Sequence, residues 1–185
     1  MRRLLTVIAA VAAGAPLARG AENHGFYLGA GADRVTVSTL PGSSTGYQAF
    51  VGYDFNRYLA LETDYLNIGN FSAAASGPYP GSSAIGMLSL SGETASVLGK
   101  LPLTRRFALF ARVGGLYWRG EATASVLSNG VGLFSTSVSN SGTAFIWGGG
   151  GEAFLGPFAL RAGYQQTDIN GHTYRFAGGS LMYRF

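Results

Sequence analysis

Six ionisable residues, Glu62, Asp64, Lys100, Arg112, Glu152 and Arg161, lie inside stretches where apolar and polar residues alternate. A period of two makes each stretch a strand, and by parity all six fall on the face opposite the apolar one. Opposite charges gathered on one enclosed face have one favourable course, which is to form ion pairs that fill the interior, because an unpaired charge out of water is far more costly than a paired one. Other constellations are thin. His24 precedes the first strand, and His172 lies in a loop near Asp168. Cysteine is absent and no metal-ligand spacing is visible, so neither a disulfide scaffold nor a metal or other cofactor is expected. The run Gly148 to Gly151 sits inside a strand pattern, not between a strand and a helix. It therefore reads as close packing beside bulky neighbours such as Phe110, and not as a phosphate cradle.

The elements that must position these residues are clearest in GYQAFVGYDFNRYLALETDYLNIG, residues 46 to 69. Tyr47, Ala49, Val51, Tyr53 and Phe55 oppose Gln48, Phe50, Gly52 and Asp54; Leu59, Leu61, Thr63 and Tyr65 then oppose Ala60, Glu62 and Asp64. Asn56, Arg57 and Tyr58 are too few for a crossover, so the two runs form an antiparallel hairpin. The same logic predicts a first strand from Phe26 toward Val37 and a fourth over Gly92 to Leu101, ending at Pro102. A fifth covers Phe107 to Arg119, a sixth Thr143 to Phe154, a seventh Phe158 to Gln166 and an eighth Tyr174 to Phe185. Two polar, small-residue stretches, Asn70 to Ser89 and Gly120 to Gly142, read as long loops, the first of them mobile. Short links at Leu103 to Arg106 and at Leu155-Gly156-Pro157 alternate with them.

Eight strands with long and short connections at opposite ends describe an all-β, antiparallel up-and-down barrel. Its apolar face could point inward, as in a soluble barrel, or outward to lipid. The N-terminus favours the second. Arg2 and Arg3, the apolar run Leu4 to Ala13 and the small residues Ala18 to Ala21 form a signal peptide over residues 1 to 21, with cleavage after Gly20 or Ala21 and the barrel over 22 to 185. The apolar run is about half of the roughly 20 residues a spanning helix needs. Losing Arg2, Arg3 and Arg19 leaves ten basic against nine acidic residues, so the basic balance is a leader effect and gives no ground for a nucleic-acid partner. Only 12 % of residues are charged and no long apolar run follows the leader, as expected where every second residue meets hydrocarbon. Tyr47, Tyr53, Phe55, Tyr65, Tyr117, Trp147, Tyr164, Tyr183 and Phe185 fall near strand ends, where interfacial girdles sit. At the C-terminus Leu181, Tyr183 and Phe185 alternate with Ser180, Met182 and Arg184, similar to the signal read by the outer-membrane assembly machinery. The expected fold is an eight-stranded transmembrane β-barrel with short periplasmic turns and longer external loops.

The segments FYLGAGAD (26 to 33), the hairpin 46 to 69, LGKLPLTRRFALFARVGGLYWRGEA (98 to 122), GGGGEAFLGPFALRAGYQQTD (148 to 168) and LMYRF resemble the transmembrane domain of OmpA-like outer-membrane proteins and the related small opacity-type barrels. The resemblance implies the outer membrane of a Gram-negative-type cell, with lipid and lipopolysaccharide around a monomeric barrel and a host or surface ligand at its loops. It also implies a lumenal cluster acting as plug or gate, three of whose members match Glu62, Arg161 and Glu152. The fourth, a lysine, corresponds to Leu98, with Lys100 two residues on along the same face. A static network that neutralises buried charge and fixes register stands beside a gate that exchanges partners. OmpA proteins proper continue into a peptidoglycan-binding domain; this chain is expected to end where the barrel closes, so cell-wall tethering is not carried over. The expected function is non-enzymatic, an envelope-structural or surface-interaction role. A narrow channel for ions or small solutes is one alternative. A lipid A-modifying enzyme is another, although His172-Thr173-Tyr174 lacks the His-x-Ser arrangement of the deacylases.

Overall fold

The computed structural model describes residues 24–38, 42–76, 82–128 and 131–185; the leader expected over 1–21 lies outside them. Eight strands follow one another: β1 (Gly25–Val37), β2 (Ser44–Asn56), β3 (Leu59–Ser76), β4 (Ser82–Pro102), β5 (Phe107–Ser128), β6 (Val131–Leu155), β7 (Phe158–Ile169) and β8 (His172–Arg184). Each pairs antiparallel with the next, and β8 returns to β1, from Tyr27↔Arg184 to Val37↔Tyr174, closing the barrel. Closure leaves no edge within the bilayer, the condition for a sheet to cross lipid.

The greasy side chains point away from the barrel axis. Leu61 and Leu109 are 49 % and 47 % exposed, while Glu62, Arg112 and Arg161 are 1 %, 2 % and 7 % exposed and face the lumen. On β5 the outward positions from Phe107 to Tyr117 span eleven residues. That matches the roughly 9–11 residues a tilted strand needs to cross. Aromatic rings mark both borders. Tyr53, Phe55, Phe158, Tyr183 and Phe185 gather at the periplasmic one in edge-to-face pairs, such as Tyr183 with Phe158 at 5.3 Å and with Phe185 at 5.1 Å. Tyr47, Tyr65, Tyr117, Trp147 and Tyr164 are outward near the other border.

Two expected loops are largely strand. β3 continues to Ser76 and β4 begins at Ser82, while β5 continues to Ser128 and β6 begins at Val131; residues 77–81 and 129–130 lie outside the described residues. Beyond the membrane neither face of a strand has to be apolar. A Ser, Thr, Ala and Gly composition therefore remains compatible with pairing, supported by cross-strand contacts such as Ser89 Oγ donating to Asn70 Oδ1 at 2.8 Å and Ser125 Oγ with Ser135 Oγ at 3.2 Å. The β7–β8 link shrinks to Asn170-Gly171, both with positive φ, 51° and 80°. This is the Asn-Gly pairing that a two-residue hairpin turn favours.

Candidate functional site: the lumen

Local sequence builds the lumen in layers. In the periplasmic half, Tyr27 lies opposite Gly52 across β1 and β2. A Cβ at Gly52 would come within 2.2 Å of the Tyr27 ring, so glycine there admits the ring into the axis. The ring then delivers its hydroxyl to Glu62, donating to Oε2 at 2.9 Å. Around it pack Phe50, Ala60, Leu98, Phe110, Ala159 and Met182.

Through this packing runs a chain of charges that alternate in sign. Arg184 Nη2 donates to Asp54 Oδ2 at 3.0 Å, and Lys100 Nζ donates to Asp54 Oδ1 at 2.8 Å. Lys100 Nζ also lies 3.5 Å from Glu152 Oε2. Arg161 reaches Glu152 Oε1 from Nε at 3.0 Å and Nη2 at 2.8 Å, and reaches Glu62 Oε2 from Nη1 at 2.7 Å. Arg112 Nη1 sits 3.3 Å from Glu62 Oε1, and its Nη2 donates to Asp64 Oδ2, to Ser96 Oγ at 2.8 Å and to Thr94 Oγ1 at 3.3 Å. Thr94 Oγ1 also donates to Asp64 Oδ2. From Arg184 to Asp64 the series is four cations and four anions, linked end to end by seven ion pairs. Its sum is zero, which lets ionised groups reside where water is scarce. The cations also lie over rings: Arg161 over Phe50 and Phe110 at 4.8 and 4.9 Å, Lys100 over Tyr27 at 4.9 Å and Arg184 over Phe154 at 5.1 Å.

The six residues singled out by parity are thus brought into one connected series. Asp54 and Arg184 belong to it as well and were missed. Asp54 shares the Gln48, Phe50, Gly52 parity and Arg184 sits two residues from Met182, so the same alternation carried the signal for both. Leu98, at the position where the resemblance has a lysine, is fully buried apolar filling. Lys100, one row nearer the periplasm, engages Asp54 and Glu152 and leaves Glu62 to the two arginines.

Above the charges the lumen changes character. Val35, Leu66, Ile68, Leu90, Leu116, Trp118, Ile146, Ile169, Tyr174 and Phe176 form a buried apolar layer across the external half of the barrel. Ion pairs were expected to fill the interior; they fill its periplasmic half, and aliphatic and aromatic side chains fill the rest. Between the two lies a void of about 10 Å³ lined by Asp33, Gln48, Arg112, Arg161, Gln165 and Ser180, room for about one water molecule. His172 and Asp168 flank the Asn170-Gly171 turn, where Asp168 Oδ1 accepts from Thr173 Oγ1 at 2.6 Å. Leu181, Tyr183 and Phe185 point outward, and the Phe185 N–H donates to the Phe26 carbonyl at 3.0 Å. Among the described residues no group of three or more His, Asp or Glu side chains could hold a metal ion.

Residues 4–185 match the family model described as the outer membrane protein beta-barrel domain. The chain belongs to this family. Among curated relatives, outer membrane protein A of Klebsiella pneumoniae is 31 % identical over 121 residues, 65 % of this chain and 33 % of that protein. Outer membrane protein A of Salmonella typhi is 31 % identical over 124 residues, 66 % of this chain and 33 % of that protein. The chain therefore spans about a third of the length of the curated relatives it matches. Among solved structures, Ail, the attachment invasion locus protein of Yersinia pestis, in complex with the heparin analogue sucrose octasulfate, superposes with a TM-score of 0.60 at 17 % identity, covering 88 % of this chain and 99 % of Ail. Neisserial surface protein A superposes with a TM-score of 0.59 at 17 % identity, covering 86 % of this chain and 97 % of that one. At such identities these two likenesses speak to the fold alone. The outer-membrane barrel resides in the outer membrane of a Gram-negative-type envelope.

Proposed function

We propose that this outer-membrane barrel is a non-enzymatic surface protein, sealed through its lumen, that contributes to envelope integrity and makes contacts outside the cell through a projecting sheet. The carrying observation is that sheet. β2–β3 pairing ends at Tyr47↔Asn67 and β6–β7 pairing at Ile146↔Thr167, yet β3–β4, β4–β5 and β5–β6 remain paired to Ser76↔Ser83, Ser82↔Ser128 and Ser128↔Val131. Four strands therefore rise past the rim as a blade. Its β6 side, residues 131–145, has no strand beside it among the described residues and carries neither a charged residue nor a proline. Those are the devices that ordinarily keep an exposed edge from recruiting another strand. An edge without them suits an extended segment of a partner protein, held by main-chain hydrogen bonds. The attachment protein Ail has the same fold, which is consistent with surface contact. The leader over 1–21 and the outward series Leu181, Tyr183 and Phe185, as export and assembly signals, belong to the same proposal, as does the charge series as a static plug.

Cells expressing the wild type should adhere to host-cell or matrix surfaces. Cells expressing Thr136→Pro with Val138→Lys, with unchanged heat-modifiable gel mobility, should lose that adhesion. Equal adhesion by the two would refute the blade reading. The lipid A alternative is tested by mass spectrometry of lipid A with and without expression, which should give identical profiles.

A further inference from the structure

The lipid-facing wall is not uniformly padded with large side chains. Leu59, Gly99 and Ala111 lie side by side across β3, β4 and β5, in the registers Leu59↔Gly99 and Gly99↔Ala111. A Cβ built on Gly99 would meet nothing within 4 Å. The result is an outward groove of about 320 Å³ bounded by Tyr58, Leu101 and Leu109, low on the wall near the periplasmic border.

The mouth of that groove is cationic. Tyr58 is held against β4 because its carbonyl accepts the Lys100 backbone N–H at 2.8 Å, and the Arg57 guanidinium lies 4.6 Å from the centre of its ring. The neighbouring turn, joining the two strands that carry Leu101 and Leu109, holds Arg105 and Arg106, both exposed. Thr104 knits this turn together, its Oγ1 accepting the backbone N–H groups of Arg106 at 3.1 Å and Phe107 at 3.0 Å. Whereas the lumenal ion-pair series balances, none of these three arginines has a carboxylate partner among the described residues, and residues 56–58, 103–106 and 156–157 contain no Asp or Glu. An apolar trough ending at three uncompensated guanidinium groups complements an amphiphile with a hydrocarbon tail and a negative head. Arginine favours phosphate oxygens in particular, through its planar fork of donors.

We propose that this groove, with Arg57, Arg105 and Arg106, is a binding site for an anionic phospholipid of the periplasmic leaflet. One acyl chain lies over Gly99 and Ala111, beside Leu101 and Leu109, and the phosphate is held at the arginines. The site is independent of the external blade and of the lumen.

The test uses the refolded full chain in vesicles of equal phosphatidylcholine and phosphatidylglycerol, with retained lipids counted by native mass spectrometry after gentle extraction. A cationic residue near an anionic surface favours it by about fivefold, so three acting together should enrich phosphatidylglycerol at least about tenfold over phosphatidylcholine. The enrichment should fall to near parity in the variant carrying Arg57→Ala, Arg105→Ala and Arg106→Ala. It should also fall several-fold in Gly99→Leu, which fills the groove while keeping every charge. Parity in the wild type would overturn the proposal. So would an undiminished preference in Gly99→Leu, which would mark a diffuse charge effect, or displacement of the lipid by soluble anionic cell-wall fragments. Heat-modifiable mobility verifies folding of each variant. If the triple variant does not fold, Arg57→Gln alone should lower the enrichment severalfold, and an unchanged enrichment would again refute the site.

Discussion

Replacing Arg161 with alanine is the sharpest test of the lumenal charge series, because Arg161 is its central cation. The guanidinium holds Glu152 through two donors and Glu62 through a third, and it is sandwiched between the Phe50 and Phe110 rings. Removing one partner of a buried ion pair typically destabilises by about 3–5 kcal/mol. Here the lower end applies, since Glu62 keeps Arg112 at 3.3 Å and the Tyr27 hydroxyl at 2.9 Å, and Glu152 keeps Lys100 at 3.5 Å. The space left between the two rings adds to the loss. We expect Arg161→Ala to lose about 3 kcal/mol, roughly 150-fold in the folding equilibrium. The assay is reversible urea unfolding in phosphocholine vesicles, followed by Trp147 and Trp118 fluorescence and by heat-modifiable mobility. Adding Glu62→Gln should hurt less than the sum of the single changes by about 1–2 kcal/mol, because the second substitution removes a carboxylate that the first left under-compensated. An Arg161→Ala protein unfolding within about 0.5 kcal/mol of wild type, the range of an ordinary surface substitution, would show that the series does not hold the barrel together. Strict additivity of the two changes would refute their coupling.

Three further outcomes follow from the layering and the topology. Purified barrel in planar bilayers should give no steady conductance, and Arg161→Ala should stay silent as well, because the apolar layer around Leu116, Ile146 and Phe176 repels water; Leu116→Ser with Ile146→Ser should introduce current. The chain has no native cysteine, so Ser139→Cys should react with an impermeant maleimide on intact cells and Arg105→Cys only after the outer membrane is opened; the reverse pattern would invert the assigned orientation. Phe185→Ala should slow assembly and leave unfolded chain in the periplasm, seen as loss of the heat-modifiable band, if the terminal aromatic residue is the assembly signal.

Alternation made the barrel legible from residues alone. One residue's displacement in a strand moves it to the opposite face, so the faces of Glu62, Asp64, Lys100, Arg112, Glu152 and Arg161 followed as soon as the strands were drawn. Which charge meets which did not follow, because pairing depends on the stagger between strands that are far apart in the chain. Arg161 and Glu62 are 99 residues apart and meet across the lumen. The apolar layer was hidden for a related reason. Ile68, Trp118 and Ile146 sit at the margins of the strands as first drawn, where the period of two gives way to polar stretches. Those stretches have the composition of loops because a strand in water needs no apolar face. Only the ladder from Ser82↔Ser128 downward distinguishes the two.

The lopsided rim has a consequence for how the molecule meets its surroundings. β1, β2, β7 and β8 are 12–13 residues long, whereas β4, β5 and β6 reach 21, 22 and 25. The cylinder therefore has a front and a back. A neighbour arriving from the β7–β8 side, over the tight Asn170-Gly171 corner, passes above a low sill, and one arriving from the opposite side meets a wall. Rotation about the membrane normal thus becomes a meaningful coordinate, and encounters at the cell surface acquire a preferred heading.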